Sequence, residues 1–166
     1  MQDVTIKEAP AEFPFSKSVQ MLDLTDVRQR LKISSNLTEK EIIRAELEYR
    51  LFLALNQVKG NRATPTTPTE LADRFWHEHI IDTRRYTADC QSLFGYFLHH
   101  IPEDALPEGC CLKEVACNTF AIMRHRFGYG RIAGGPEVEL KSGPCIAGGP
   151  EVELKSGPCI AGGPEV

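Results

Sequence analysis

Residues 73–100, DRFWHEHIIDTRRYTADCQSLFGYFLHH, hold four of the chain's five histidines, its only tryptophan and one of its six cysteines. Imidazole, carboxylate and thiol groups ligate metals and carry protons, so their crowding beside large apolar residues marks this stretch as the candidate site. His77, His79, Asp82, Cys90, His99 and His100 are the candidate metal ligands. Neutral imidazole, carboxylate and thiolate together suit zinc or iron, with copper a further option. Asp73, Trp76, Thr83 and Tyr86 are candidates for orienting those ligands, because a hydrogen bond to the free N–H of a ligating histidine fixes its ring.

Helical geometry restricts these combinations. Asp73 and His77 are four residues apart and share a face, whereas His77 and His79 are separated by about 200° around a helix. A site built on His77 therefore recruits Cys90, His99 or His100 from later in the chain. The competing reading is structural: a buried histidine that hydrogen-bonds a carboxylate beneath Trp76 needs no metal. Catalytic motifs are weaker. His77-Glu78-His79 lacks the spacing of H-E-x-x-H, and Cys90 paired with His99 or His100 comes with no recognisable oxyanion hole. The tail glycines do not lie between a strand and a helix, so they do not read as a phosphate cradle. No catalytic residue is assigned.

The supporting elements read as helices. Thr25 is the expected cap of a short helix through about Ile33, with Leu24, Val27 and Leu31 on one stripe. Thr38-Glu39-Lys40-Glu41 is a capping box opening a helix to about Val58, with Ile43, Leu47, Leu51, Ala54 and Leu55 as its apolar side and Tyr49 and Phe52 widening it. Thr67-Pro68-Thr69-Glu70 supplies an N-cap, a proline at N1 and a glutamate at N3 for the helix that enters the histidine stretch. Asp82 and Thr83 either continue that helix or cap the next, which Gly95 closes. A last helix runs over 111–127, with Leu112, Val115, Ala116, Phe120 and Met123 on one face. No segment of the first 130 residues alternates at period two. The expected fold is all-α, a small bundle of about four to five helices over residues 21–130, preceded by an extended arm over 1–20.

Residues 131–166 are different in kind. IAGGPEVELKSGPC fills 132–145, recurs unchanged over 146–159, and begins a third time at Ile160. Rich in glycine and proline and poor in large apolar groups, the repeat cannot offset its own ordering entropy, so a disordered tail with brief extended pieces near 137–140 is expected.

A formal charge of −4 and a pI near 5.7 argue against nucleic acid as a partner. No apolar run reaches the roughly 18–20 residues of a membrane span, and the first residues lack the basic and apolar regions of a secretion signal. A cytoplasmic location with free or metal-bound thiols is the expectation.

Tyr49-Arg50-x-Phe52-Leu53, then Asp73-x-x-Trp76-His77-x-His79-Ile80-x-Asp82-Thr83-x-x-Tyr86-x-x-x-Cys90-x-x-Leu93-Phe94-Gly95, and the closing His99-His100 resemble the glycine-rich domain-containing protein-like family. The resemblance covers about 45–102. It implies a helical domain followed by glycine- and sometimes cysteine-bearing tails, and it implies no particular reaction. Three functions follow as expectations: a metal-binding or accessory helical domain, a non-enzymatic interaction module whose repeats engage a protein partner several times over, or a precursor whose cysteine-bearing repeats are modified peptide segments.

Overall fold

Hydrogen bonds at Thr38 explain where the longest helix begins. Its backbone N–H donates to the Glu41 carboxylate at 2.8 Å while the Glu41 amide donates to the Thr38 hydroxyl at 3.3 Å, which satisfies two otherwise orphaned donors. The computed structural model describes residues 16–57, 65–105, 112–127 and 145–148. Along the chain these form α1 (Lys17–Met21), α2 (Thr25–Ser34), α3 (Glu39–Gln57), α4 (Glu70–Ile81), α5 (Thr83–Phe94), β1 (His99–Pro102), a 3-10 turn (Glu103–Ala105), α6 (Leu112–Phe127) and β2 (Cys145–Gly148). The fold is all-α, and none of the described helices is long and apolar enough to cross a membrane.

The core is assembled around α3, against which α4, α2, α1, α5 and α6 all pack. Trp76, Tyr49, Tyr86, Phe52 and Phe75 are its largest fully buried side chains; each is worth roughly 1.5–3 kcal/mol or more of apolar burial. The apolar side of α3 differs from the expected stripe. Ile43 is 54% exposed and Leu47 only partly buried, while Ile42, Ala45, Tyr49 and Phe52 face inward. From Leu51 to Asn56 every residue is buried, because neighbouring helices cover that end on several sides, which removes the amphipathic signal a stripe depends on.

Buried charges on α3 lock the bundle. Glu46 accepts from both Arg28 of α2 and Arg50. Arg50 in turn donates to the carbonyl oxygens of Val19, Gln20 and Leu22 at 2.5, 3.3 and 2.9 Å, closing the C-terminal end of α1 with a cation. Glu48, 2% exposed, accepts from Arg44 and from the Thr69 hydroxyl.

Three expectations need correction. Lys17–Met21, expected within an extended arm over 1–20, is helical with Ser16 as its cap; residues 1–15 lie outside the described residues. The cap of α4 is Thr69, whose hydroxyl accepts from the Ala72 amide at 3.1 Å. Thr67, where the cap was expected, instead donates its backbone N–H to the Thr119 hydroxyl of α6 at 3.2 Å. Finally, strands exist. β1 and β2 pair antiparallel, with His99, His100, Ile101 and Pro102 opposite Gly148, Ala147, Ile146 and Cys145. Four residues are too few to show alternation, and β2 lies inside the expected disordered tail, where prolines at 144 and 150 frame it. The extended pieces expected near 137–140 lie outside the described residues, as does the remainder of the tail.

Candidate functional site

The break between α4 and α5 decides how the histidine stretch is divided. Asp82 ends α4 and caps α5, its carboxylate accepting from the Arg85 amide at 3.2 Å. Gly95, at φ 74°, closes α5 in the left-handed conformation that glycine adopts without strain. The chain then doubles back, so that β1 delivers His100 beside α4.

There Asp73, His77 and His100 converge. The two imidazole Nε2 atoms are 2.7 Å apart, His100 Nε2 lies 3.3 Å from Asp73 Oδ1, and His77 Nε2 lies 3.7 Å from Asp73 Oδ2. One ligand atom from each residue falls within 4.8 Å of the other two. Asp73 is buried, His100 is mostly covered with its ring tilted against Trp76 at a centroid distance of 4.5 Å, and the His77 side chain is 52% exposed. The floor of the cluster is thus fixed by the core and its mouth is open to solvent. Three lone-pair-bearing atoms so close together need something positive between them: either one shared ring proton or one cation.

His79 is elsewhere. Its Nδ1 lies 2.9 Å from the Tyr49 hydroxyl and its Nε2 lies 3.0 Å from Asp89 Oδ2, with the imidazole 1% exposed. The neutral ring, accepting from Tyr49 and donating to Asp89, satisfies all three groups. Burial holds His79 below the ordinary imidazole pKa, and the Asp89 contact opposes that without reversing it. The order of groups is that of a nucleophile–base–carboxylate relay with a phenol first. Tyr49 is fully buried, however, and burial pushes its hydroxyl well above the usual phenol range, so no substrate reaches it and no phenolate forms. The relay ties α3 to α4 and α5.

A third buried network lies behind Trp76. The indole N–H donates to the Tyr86 hydroxyl at 2.9 Å, and that hydroxyl donates to the Leu98 carbonyl oxygen at 2.6 Å. Cys90 sits against Tyr86 and the Leu98 amide, and burial pushes its thiol up. Trp76 and Tyr86 therefore hold the segment leading into β1, acting on His100 through the backbone and through ring contact.

The candidate ligands sort as follows. His77 and His100 come together, and Asp73, expected behind the ligands, stands among them. His79 belongs to the buried relay because it projects from the opposite side of α4. Asp82 is occupied as a helix cap. Cys90 is enclosed by Tyr86 and Leu98. His99, the strand neighbour of His100, points away as pleating requires, is exposed, and packs its ring against Phe97 at 4.9 Å. Thr83 is exposed, its carbonyl accepting from Thr87. Of the other cysteines, Cys117 is exposed and apart from the cluster, and residues 110 and 111 lie outside the described residues. Asp89 was not singled out by the sequence; a signal for it existed, since it stands ten residues after His79 on a helix that a turn at Asp82 folds back.

A family model matches residues 16–118, more than half of the chain. The chain belongs to the UCP032817-like family. The UCP032817-like match runs from the cap of α1 into α6, includes Asp73, His77 and His100 as well as both buried networks, and ends before the repeats. Its description names no activity. Neither the curated proteins nor the solved structures contain a match to the chain.

Proposed function

We propose that this UCP032817-like domain binds one divalent transition-metal ion, zinc or iron, through Asp73 Oδ, His77 Nε2 and His100 Nε2. The observation that carries the reading is the convergence of two imidazole Nε2 atoms, 2.7 Å apart, on one carboxylate, whose Oδ1 lies 3.3 Å from His100 and whose Oδ2 lies 3.7 Å from His77. Ligands bonded at roughly 2.0–2.1 Å in tetrahedral geometry stand about 3.3–3.4 Å apart. The two imidazole nitrogens, 2.7 Å apart, reach that spacing after a shift of about 0.6 Å in the half-exposed His77 ring. Two imidazoles and one carboxylate leave coordination positions open, the donor set of catalytic zinc sites and of non-haem iron(II) sites alike. Copper(II) takes the same imidazole and carboxylate donors and is the competing ion at this set. The open positions face solvent on the His77 side, where water or a small anionic ligand would complete the shell. The family resemblance to glycine-rich domain-containing proteins supports a helical domain with a separate tail and leaves the chemistry to this site.

Cobalt(II) substitution tests the donor set. Tag-free protein titrated with cobalt should develop ligand-field bands without a thiolate charge-transfer band, and Asp73→Asn with His77→Ala should abolish them. A thiolate band would move the site to a cysteine, and no band at all would remove it.

The second reading, a protein-interaction module, is favoured by β2: a segment of the repeat pairs with β1, so the helical domain offers a strand edge to extended peptide.

A further inference from the structure

β1 is a single short strand emerging from a helical bundle, and what pairs with it is a piece of repeat. Cys145–Gly148 straddles the boundary between the first and second copies of the 14-residue unit. The same four residues recur at 159–162, and each copy has the same frame, proline, then Cys-Ile-Ala-Gly-Gly, then proline. The earlier Ile-Ala-Gly at 132–134 follows arginine and lacks the Pro-Cys half of that frame. Strand pairing is made by backbone N–H and C=O groups, and neighbouring residues enter through their fit to the pleat. Two segments with identical residues and identical flanking prolines offer β1 identical hydrogen bonds.

We propose that the β1 edge is a strand-acceptor site for Cys-Ile-Ala-Gly, and that residues 159–162 exchange with Cys145–Gly148 in it. Reach does not forbid the exchange. Seventeen residues separate Phe127, the end of α6, from Cys145, and 31 separate it from Cys159. Loop-closure entropy disfavours the longer connection by only roughly 2.5-fold. The repeat then has a physical role: it doubles the supply of the strand that lies opposite His100. This inference rests on the strand register and is independent of metal binding.

Cross-strand trapping reads the exchange directly. Pro102 lies opposite Cys145, and Cα separations across an antiparallel pair fall within the disulfide range. Full-length Pro102→Cys, with Cys110→Ser and Cys111→Ser, is oxidised mildly while folded and digested with trypsin. Cys145 and Cys159 fall in different peptides, 142–155 and 156–166. Links to both peptides within one chain are expected, the first favoured about 2.5-fold. Links to one peptide alone, links only between chains, or links no more abundant than in the protein retaining Pro102 would overturn the proposal. Hydrogen exchange gives an independent arm without an added cysteine. Protection of the β1 amides should survive Ile146→Pro and be lost only when Ile160→Pro is added; loss in the single variant contradicts exchange.

Discussion

The Nε2 atoms of His77 and His100 stand 2.7 Å apart across 23 residues of chain. Nothing local brings them together. α4 presents His77 four residues after Asp73, the Asp82 cap turns the chain into α5, Gly95 ends α5, and the Trp76–Tyr86–Leu98 hydrogen bonds seat the start of β1.

Because the His77 side chain is half exposed and its partners are the other two residues of the cluster, His77→Ala should alter the unfolding free energy of the metal-free protein by no more than about 0.5 kcal/mol. Zinc should raise the melting temperature of the parent and leave that of His77→Ala unchanged. Thermal melts with and without zinc check both halves.

The buried relay behaves oppositely. Tyr49→Phe removes the hydroxyl that donates to His79 Nδ1 and leaves a buried acceptor unpaired, so it should cost about 1–3 kcal/mol by urea unfolding. Zinc affinity of the folded protein should not change, since His79 lies outside the Asp73–His77–His100 cluster.

The same histidine gives a pH dependence with a definite sign. Burial lowers its folded-state pKa from an ordinary 6.5. As pH falls below about 6.5 the unfolded chain takes up the proton first, so stability is full above that value and declines toward the lower folded pKa. Urea midpoints measured from pH 7.5 to 5 should fall in the parent, and His79→Gln should show a smaller fall over that window.

Thiol reactivity should separate the two described cysteines. Cys90 is buried and its thiol is pushed up by burial, whereas Cys117 is exposed. Iodoacetamide at neutral pH should label Cys117 in the folded protein and reach Cys90 only after unfolding, which peptide mass mapping resolves.

Much of this architecture was legible in the residues. The Thr38–Glu41 capping box and Gly95 as a stop are local rules written in neighbouring side chains, and they describe the start of α3 and the end of α5 closely, whereas Thr25, expected as a cap, is the first residue of α2 and Leu24 takes the cap position without a side-chain bond. Helical rotation alone separates His77 from His79 and joins His77 to Asp73. Other features are tertiary. That His100 and not Cys90 completes the cluster depends on the turn at Asp82 and on the seating of Leu98, neither of which periodicity contains. That Glu46 and Glu48 are buried depends on arginines and a threonine from other helices. β1 and β2 are each four residues long, and their pairing joins segments more than forty residues apart, a contact no local pattern encodes.

Zinc stoichiometry and affinity, measured by equilibrium dialysis on tag-free protein, test the central claim most directly. One zinc per chain is expected for the parent and for His79→Gln, with affinity reduced by at least 10-fold in Asp73→Asn, His77→Ala and His100→Ala. No bound zinc or iron in the parent, or undiminished binding in His77→Ala and His100→Ala, would contradict the assignment of Asp73, His77 and His100 as a metal site.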